Sequence, residues 1–276
     1  MTRNITYLVL LVLGIGIGMV FSSGSGPQSG SQGAGQETKT FDRRFDYGLS
    51  VDPDAVGTKD QGNNIGEAKT FRSGKLEAEI TVLPGVFNPN EAEWLVLPIL
   101  RNNPDLCEGK TVMEIGTGSG IISLYCAKLG ATKVVSTDIN PAAIETLTLN
   151  AKNLGFADII EPRLVSLDDM SAYAVIGDDE RFDMVISNPP FALDLDAESN
   201  DSVTDTGELG FSIVRGLDQH LEPGGQAVLF YDSLFYHEVM VKFARYSGWE
   251  ARKHSPNGFF PWAAESLFNT YLRRLL

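Results

Sequence analysis

Two groups of residues in this chain have types and a spacing that could do chemistry. The first is Glu114-Ile115-Gly116-Thr117-Gly118-Ser119-Gly120, which follows an apolar run and leads into a helical pattern. Glycines at a strand-to-helix turn let the backbone bend tightly and approach a ligand. Asp138, 22 residues after Gly116, ends the next apolar run. A carboxylate at that point can accept hydrogen bonds from both hydroxyls of a ribose, so the pair predicts a nucleoside site.

The spacing of the glycines excludes the nearest alternatives. A dinucleotide fingerprint, G-x-G-x-x-G, would need glycine at 121, where the chain has Ile121. No P-loop lysine follows the turn either. Asn140 and Pro141 are the residue types that begin a helix, which predicts that a helix starts directly after Asp138.

The second group is Asn188-Pro189-Pro190-Phe191, which ends another apolar run. The two prolines fix φ and remove two backbone donors, so the turn presents acceptors: the Asn188 side-chain oxygen and the backbone carbonyls. An amide or aromatic amine is a poor nucleophile because its lone pair is delocalised. Acceptors that hold its N–H bonds would aim the nitrogen and stabilise developing positive charge, while Phe191 stacks on the planar group. This motif predicts catalysis by positioning.

Apolar runs that alternate with helical patterns must position both groups. Such alternation predicts right-handed βαβ units, and hence an α/β fold with a mainly parallel sheet and helices on both faces. The predicted strands are 76–82, 111–115, 133–137, 163–167, 184–187 and 226–231, and the predicted helices include 91–100, 121–129 and 141–154.

Charge and composition limit the partners of the chain. With 36 acidic and 22 basic residues, the net charge is −14, which repels phosphate backbones and disfavours a nucleic-acid partner. Cys107 and Cys126 are too few for a disulfide framework and lack the partners of a zinc site, so no metal is predicted. His220, His237 and His254 are scattered singly, and we expect structural roles for them.

The glycine-rich stretch with Asp138 resembles the first two motifs of class I S-adenosylmethionine (SAM)-dependent methyltransferases. The resemblance implies a Rossmann-like fold and SAM as cofactor. It implies that the first acid anchors the SAM ammonium through water or backbone, and that the turn packs under the methionine part. The residues implied in SAM binding are Glu114, Gly116, Thr117, Gly118 and Gly120 in the turn, Asp138 at the ribose, Ile139 at the adenine, Asp168 or Asp169 at the adenine amino group, and Asn188, which also borders the cofactor site.

The N-P-P-F motif resembles the branch of this family that methylates amino and amide nitrogens. That branch includes glutamine methyltransferases of release factors and N-methyltransferases of adenine or guanine in RNA and DNA. Pro84-Gly85-Val86-Phe87-Asn88-Pro89 resembles the P-G-V-F segment of "methyltransferase small" domains, which lies over the active site and makes Phe87 a candidate substrate contact. Residues 205–210 and 221–225 resemble the release-factor enzymes. The resemblance covers 76–276 and implies a seven-stranded sheet completed by an antiparallel hairpin over 249–254 and 267–275.

The residues beyond the motif give two opposed indications about the acceptor. Residues 193–205 hold five acids and no base, which favours a protein or small-molecule acceptor. A basic and aromatic cluster could instead stack and hold single-stranded RNA, although hairpin core aromatics would produce the same pattern. Its members are Arg252, Lys253, His254, Phe259, Phe260 and Trp262, with Arg273 and Arg274 beyond them.

The N-terminal residues predict a membrane tether. Residues 5–21 are uncharged and apolar, at the short end for a span; a retained anchor is expected over 1–21, with a cleaved signal sequence as the alternative. A flexible Gly/Ser/Gln linker at 22–36 and an irregular lead-in at 37–75 follow. Arg3 favours a cytoplasmic N-terminus with the domain across the membrane, whereas SAM is made in the cytosol, so the side stays open.

Two functional hypotheses follow from the sequence. The first is a SAM-dependent N-methyltransferase that acts on a planar amide or amino nitrogen of a protein, RNA or DNA acceptor, with Asn188–Phe191 gripping that nitrogen. The second is a membrane-tethered SAM-binding interaction module with little or no transfer activity. The glycine turn and the N-P-P-F motif are both intact, which favours the enzyme.

Overall fold

The computed structural model describes residues 66–189, 208–231, 234–254 and 268–274, which form nine strands and six helices. The strands are β1 (Lys69–Ser73), β2 (Ala78–Val82), β3 (Thr111–Ile115), β4 (Lys133–Asp138), β5 (Ile160–Leu164), β6 (Phe182–Ser187), β7 (Leu221–Tyr231), β8 (Trp249–His254) and β9 (Phe268–Arg274). The helices are α1 (Asn90–Leu95), α2 (Leu97–Asn102), α3 (Ile121–Lys128), α4 (Pro141–Asn153), α5 (Glu208–His220) and α6 (Leu234–Tyr246), with a short 3-10 turn at Pro104–Leu106.

Seven strands form one sheet in the order β5-β4-β3-β6-β7-β9-β8. The first five are parallel, while β9 runs antiparallel to both β7 and β8. This confirms the predicted Rossmann-like α/β fold with an antiparallel C-terminal hairpin. The parallel order brings the carboxyl ends of β3, β4 and β6 to one edge, with β3 in the middle.

Buried apolar residues of the sheet alternate between two cores. Val112 of β3 and Val134 of β4 pack with the helices α1 to α4 on one face, whereas Met113 and Val135 pack with α5 and α6 on the other. Side chains of successive strand residues point to opposite faces, so strands buried on both faces read as continuous apolar runs. The prediction of helices on both faces is confirmed.

The strands β1 and β2 form a separate antiparallel hairpin, with Ser73 opposite Ala78. The sequence predicts an irregular lead-in at 37–75, and the structure corrects this at Lys69–Ser73, which forms β1. The segment KTFRS has no regular apolar alternation, since only Ser73 within it is fully buried, so the pattern gave no strand signal. The hairpin leads directly into the Pro84–Asn88 segment.

Two further predictions about elements were wrong in detail. The helix predicted over 91–100 is two helices, because Pro98, near the start of α2, has no N–H to continue the hydrogen-bond ladder. The third parallel strand spans Ile160–Leu164 and not 163–167. It lies at the sheet edge, where only Ile160 is buried and Pro162 interrupts the strand, so the segment has no clear apolar pattern. Its last residue, Leu164, pairs with Asp138.

Across the part of the chain that the structure describes, no helix has both the length and the apolar character needed to span a membrane. The predicted anchor at 1–21, the linker at 22–36 and most of the lead-in lie outside the described residues. So do the acidic stretch at 193–205 and the aromatic residues at 259–262.

Candidate active site

The strand register brings the two chemical groups of the sequence together. Ile115 of β3 lies opposite Thr137 on one side and Ser187 on the other. The next residue of each strand is therefore Gly116, Asp138 and Asn188, all in one row at the carboxyl edge of the sheet. Ligands of open α/β sheets bind at this edge.

The Gly116–Gly120 turn has the backbone geometry that its sequence predicts. Gly116, Gly118 and Gly120 have φ values of 74°, 51° and 77°, a region that residues with a Cβ rarely adopt. A Cβ on Gly120 would lie 2.6 Å from Leu147 Cδ1, so glycine also permits α3 to pack against α4. The turn is fixed to β4 because the N–H groups of Gly116 and Thr117 both donate to Thr137 O, at 2.9 and 3.0 Å.

Asp138 connects the glycine turn to the start of α4. Its Oδ2 accepts from Gly118 N at 2.8 Å, and its Oδ1 accepts from Asn140 N at 2.8 Å. Burial raises the pKa of Asp138, while backbone N–H donors such as Asn140 and Gly118 oppose that rise. A carboxylate oxygen has a second lone pair, so each oxygen keeps the capacity to accept a hydroxyl.

Glu114 lies beneath the turn and has a role that sequence reasoning missed. Its side chain is 1% exposed, and Oε2 accepts from Thr117 Oγ1 at 2.7 Å, from Ser123 N at 3.1 Å and from Ser123 Oγ. Ser123 Oγ in turn lies 2.6 Å from Ser136 Oγ. Ser123 and Ser136 were overlooked, although a serine inside an apolar helix or strand is a signal for a buried polar partner. Glu114 thus holds the shape of the turn from below.

This buried carboxyl predicts a pH-dependent stability. Burial raises the pKa of Glu114 to about 7 from its ordinary value of 4.5, against the opposing hydrogen bonds from Ser123 and Thr117. A raised carboxyl pKa contributes stability that is present below pH 4.5 and is lost as the pH rises through 7. Between pH 5 and pH 8 the wild type should therefore lose about 2 kcal/mol relative to Glu114→Gln, since each pKa unit is about 1.4 kcal/mol.

Urea unfolding of wild type and Glu114→Gln at pH 5 and pH 8 measures this difference. The ionisable groups that both proteins share contribute equally to their free energies of unfolding, so they do not affect the difference between the two. Glu180→Gln is the matched control: hydrogen bonds from Arg163 lower the pKa of Glu180 to about 2 from 4.5, so the stability that Glu180 contributes is lost only below about pH 4.5. The free-energy gap between wild type and Glu180→Gln should therefore stay nearly constant between pH 5 and pH 8. If the free-energy gap between wild type and Glu114→Gln were the same at both pH values, the three donors would be holding Glu114 ionised throughout, and the prediction would be wrong.

The two adjacent acids after β5 differ in their local bonds. Asp168 and Asp169 are both exposed in the turn that follows β5, beside the end of β4, where Val165 N donates to Asp138 O at 2.8 Å. Asp169 Oδ1 accepts from Ser171 N at 3.1 Å, an Asx turn that commits this carboxylate locally. The backbone N–H of Asp168 donates to Ser166 Oγ at 3.2 Å.

Asn188 and the Phe87 segment border the glycine turn on its other side. Asn188 is half-buried and Pro189 is buried, while Pro190 and Phe191 lie outside the described residues. Ser187 Oγ donates to Ile115 O at 2.8 Å, which ties the end of β6 to β3. Phe87 Cβ lies 3.8 Å from the place a Cβ on Gly118 would take, so the Phe87 segment covers the glycine turn.

The site as a whole suits a nucleoside ligand. The glycine turn offers close backbone approach, and Asp138 offers acceptors for ribose hydroxyls, with Ile139 half-buried next to it. Among the residues of the four described ranges, no group of three or more His, Cys, Asp or Glu side chains could hold a metal ion. The residues present therefore fit SAM.

Comparisons with known proteins identify the family of the chain. The sequence matches the model of the Methyltransferase small domain family over residues 77–252, which is more than half of the chain. A Methanocaldococcus jannaschii protein named as a protein N5-glutamine methyltransferase is 34% identical over 165 residues, covering 55% of this chain and 74% of that protein. The ribosomal RNA small subunit methyltransferase C of Erwinia tasmaniensis is 31% identical over 203 residues, covering 68% of this chain but only 54% of that protein.

A solved structure supports the fold. The 16S rRNA methyltransferase of T. thermophilus, in complex with AdoMet and guanosine, superimposes with a TM-score of 0.52 at 19% identity, over 77% of this chain and 51% of that chain. The glycine turn, the aspartate that follows it and the N-P-P-F motif lie within the matched family region. The chain belongs to the Methyltransferase small domain family and is a SAM-dependent methyltransferase.

Proposed function

We propose that this enzyme methylates the side-chain amide nitrogen of glutamine in a protein acceptor, with Asn188 gripping that nitrogen. The observation that carries the proposal is the register of β3 and β6, in which Asn188 neighbours Gly116 of the cofactor turn. A planar nitrogen held at Asn188 would then lie next to a methyl group held above the turn.

The cofactor side of the proposal assigns a role to each residue around the turn. Gly116, Thr117, Gly118 and Gly120 would lie under the methionine part of SAM, with Glu114 acting through Thr117 and Ser123. Asp138 would accept from the ribose hydroxyls, and Ile139 would pack on the adenine. SAM supplies an electrophilic methyl group on a positively charged sulfur.

Of the two adjacent acids, we assign the adenine amino group to Asp168. The Asp169 carboxylate already accepts from Ser171 N, so it is less free to turn towards a ligand. We expect Asp168→Ala to weaken SAM binding by roughly tenfold, as one hydrogen bond to a charged group is lost, and Asp169→Ala to change it less than about twofold. Isothermal titration with SAM measures both. The reverse order of effects would move the role to Asp169.

On the acceptor side, the residues act by positioning. Asn188 Oδ1 and a backbone carbonyl of the proline turn would each accept one N–H of the amide, which fixes the nitrogen in line with the methyl group. The same acceptors would stabilise positive charge as the N–C bond forms. Phe87 and Phe191 would pack on the planar amide. The proton that leaves the nitrogen would pass to solvent, so no strong general base is needed.

The choice of a protein glutamine over a nucleobase is supported by charge. A net charge of −14 repels a phosphate backbone, and the acidic stretch at 193–205 follows the proposed grip directly. The relative covered over 74% of its length is named for glutamine methylation, whereas the RNA-named relative is covered over 54%.

Labelling of cell extract with tritiated SAM tests the acceptor class. Extract pretreated with RNase should keep its label, and extract pretreated with protease should lose it. The Asn188→Ala protein serves as the background control. Label that disappears with RNase and survives protease would reject a protein acceptor in favour of RNA.

We further propose that residues 1–21 tether the methyltransferase domain to a membrane through the linker at 22–36. The support is the uncharged apolar stretch at 5–21. Expressed full-length protein should sediment with membranes and resist alkaline carbonate, while a variant that begins at residue 37 should stay in the supernatant. Equal distribution of the two proteins would reject the tether.

A further inference from the structure

Helix α4 holds the strand that leads to Phe87. One edge of β2 pairs with β1, and its other edge faces α4. There, Asn150 Oδ1 accepts from Thr81 N at 2.8 Å, and Asn150 Nδ2 donates to Thr81 O at 2.7 Å. Two residues on, Leu83 N donates to Thr146 Oγ1 at 3.3 Å. Asn150 and Thr146 are buried, so side chains of α4 supply the hydrogen bonds that a neighbouring strand would otherwise give.

Asn140 extends this series to the segment that covers the glycine turn. Its Nδ2 donates to Gly85 O at 2.8 Å, and its Oδ1 accepts from Ala142 N at 3.0 Å, which caps α4. Residues 81, 83 and 85 are thus bonded in turn by Asn150, Thr146 and Asn140. Gly85 is two residues before Phe87, so the bond fixes the point from which Phe87 reaches over the turn.

The contacts of Asn140 link the glycine turn to the Phe87 segment. Asp138 accepts from both Gly118 N and Asn140 N. Asn140 Nδ2 donates to Gly85 O, and Phe87 Cβ lies 3.8 Å from the place that a Cβ on Gly118 would take. The carboxylate proposed to bind the ribose is therefore one hydrogen bond away from the residue that holds the Phe87 segment.

We propose that Asn140 is a positioning residue that couples occupation of the SAM site to the placement of residues 84–88 over the glycine turn. Ribose hydroxyls on Asp138 restrain that carboxylate, which restrains the Asn140 N–H and, through the Asn140 carboxamide, Gly85. The acceptor side of the site is completed once SAM is bound. The inference rests on the proposed function in taking Asp138 as the acceptor for the ribose hydroxyls and Phe87 as a border of the acceptor site.

Hydrogen exchange of full-length protein, followed by mass spectrometry with and without SAM, tests the coupling. Asn140→Ser and Asn140→Asp keep a side-chain oxygen that caps α4 about as well as asparagine. Neither replaces the bond from Asn140 Nδ2 to Gly85 O, because the ionised carboxylate of aspartate has no donor and the shorter serine has no second polar atom in the place of Nδ2. Asn103→Asp is the matched control, because Asn103 Nδ2 also donates to a backbone carbonyl, Ile99 O, at 2.9 Å, remote from the glycine turn.

In the wild type and in Asn103→Asp, SAM should slow exchange both at 84–88 and at 116–120. In the two Asn140 variants, SAM should slow exchange at 116–120 alone, with SAM affinity within about threefold of wild type. Retained SAM-dependent protection of 84–88 in both variants would overturn the coupling. A loss of SAM binding itself would also overturn it, because Asn140 would then be part of the cofactor site.

Activity gives a second measurement that separates this inference from the proposed function. At saturating SAM, transfer to the protein fraction of cell extract should fall at least tenfold in Asn140→Ser, while the KM for SAM stays within threefold. An unchanged rate at saturating SAM would contradict the inference. Absence of transfer by the wild type would reject the proposed function, and the exchange experiment would still decide the role of Asn140.

Discussion

We expect Asn188→Ala to reduce methyl transfer by about a hundredfold to a thousandfold, the range for removal of one group that stabilises developing charge. SAM affinity should stay within about threefold of wild type, because Asn188 is proposed to act on the acceptor. Asn188 follows Ser187, which pairs with Ile115 and bonds its carbonyl, so the backbone at this point is held independently of the Asn188 side chain. The loss should therefore appear as chemistry and not as unfolding.

Transfer from tritiated SAM to extract protein measures the rate, and titration calorimetry measures the affinity. Asn188→Asp keeps an acceptor oxygen at the same place and should retain more activity than Asn188→Ala. Asn103→Ala is the control for the loss of an asparagine side chain at a distance from the site. Transfer at the wild-type rate by Asn188→Ala would remove Asn188 from the mechanism.

Asp138→Ala should weaken SAM binding by at least about a hundredfold, because two hydrogen bonds to a charged acceptor are lost at about 1.5 to 3 kcal/mol each. The variant also leaves Gly118 N without the bond that holds the turn. Asp138→Asn should be nearly as damaging. Both carboxylate oxygens accept from backbone N–H groups, so either orientation of the amide would set its NH2 against one of them.

Asp183→Ala is the matched control for this experiment. Asp183 Oδ2 likewise accepts a backbone N–H, that of Thr111, at 2.9 Å. Asp183 lies in β6 beside the first residue of β3, whereas the glycine turn follows the last residue of β3. Its loss should lower stability and leave SAM affinity within about twofold of wild type. Calorimetric titration of each variant with SAM, alongside its thermal midpoint, compares the two. If Asp138→Ala bound SAM as tightly as Asp183→Ala, the ribose assignment would be wrong.

The row of Gly116, Asp138 and Asn188 could be predicted from sequence because each residue ends a strand that is buried on both faces. Continuous apolar runs mark such strands, and parallel strands bring their carboxyl ends to one edge. β5 could not be located in this way because it is an edge strand with Pro162 inside it. Most of its residues are not buried, so it has no continuous apolar run. The break between α1 and α2 at Val96 was predictable from Pro98. It was missed because the apolar residues keep a helical spacing across it.

The polar contacts that complete the site were not predictable from local sequence. The Asn140–Gly85 bond joins residues 55 apart in the chain, and the Asn150–Thr81 pair joins residues 69 apart. The sequence identified Asn140 only as a helix cap. The bond from Ala142 N to its Oδ1 is local and follows from the sequence, whereas the bond from its Nδ2 to Gly85 O does not. Likewise, the Glu114 side chain is held by hydrogen bonds from Thr117 and Ser123. The order of residues in the motif does not show that these groups meet.

The most direct test of the central claim is the chemical form of the transferred methyl group. After labelling with tritiated SAM, the protein fraction of the extract is hydrolysed in hot acid, with the Asn188→Ala protein as the background. Hydrolysis of a methylated glutamine side chain yields glutamate and methylamine, which is protonated in acid and distils once the hydrolysate is made alkaline. Glutamine as the acceptor therefore predicts tritium in the alkaline distillate as methylamine. Tritium that stays in the hydrolysate on a non-volatile amino acid would contradict glutamine as the acceptor.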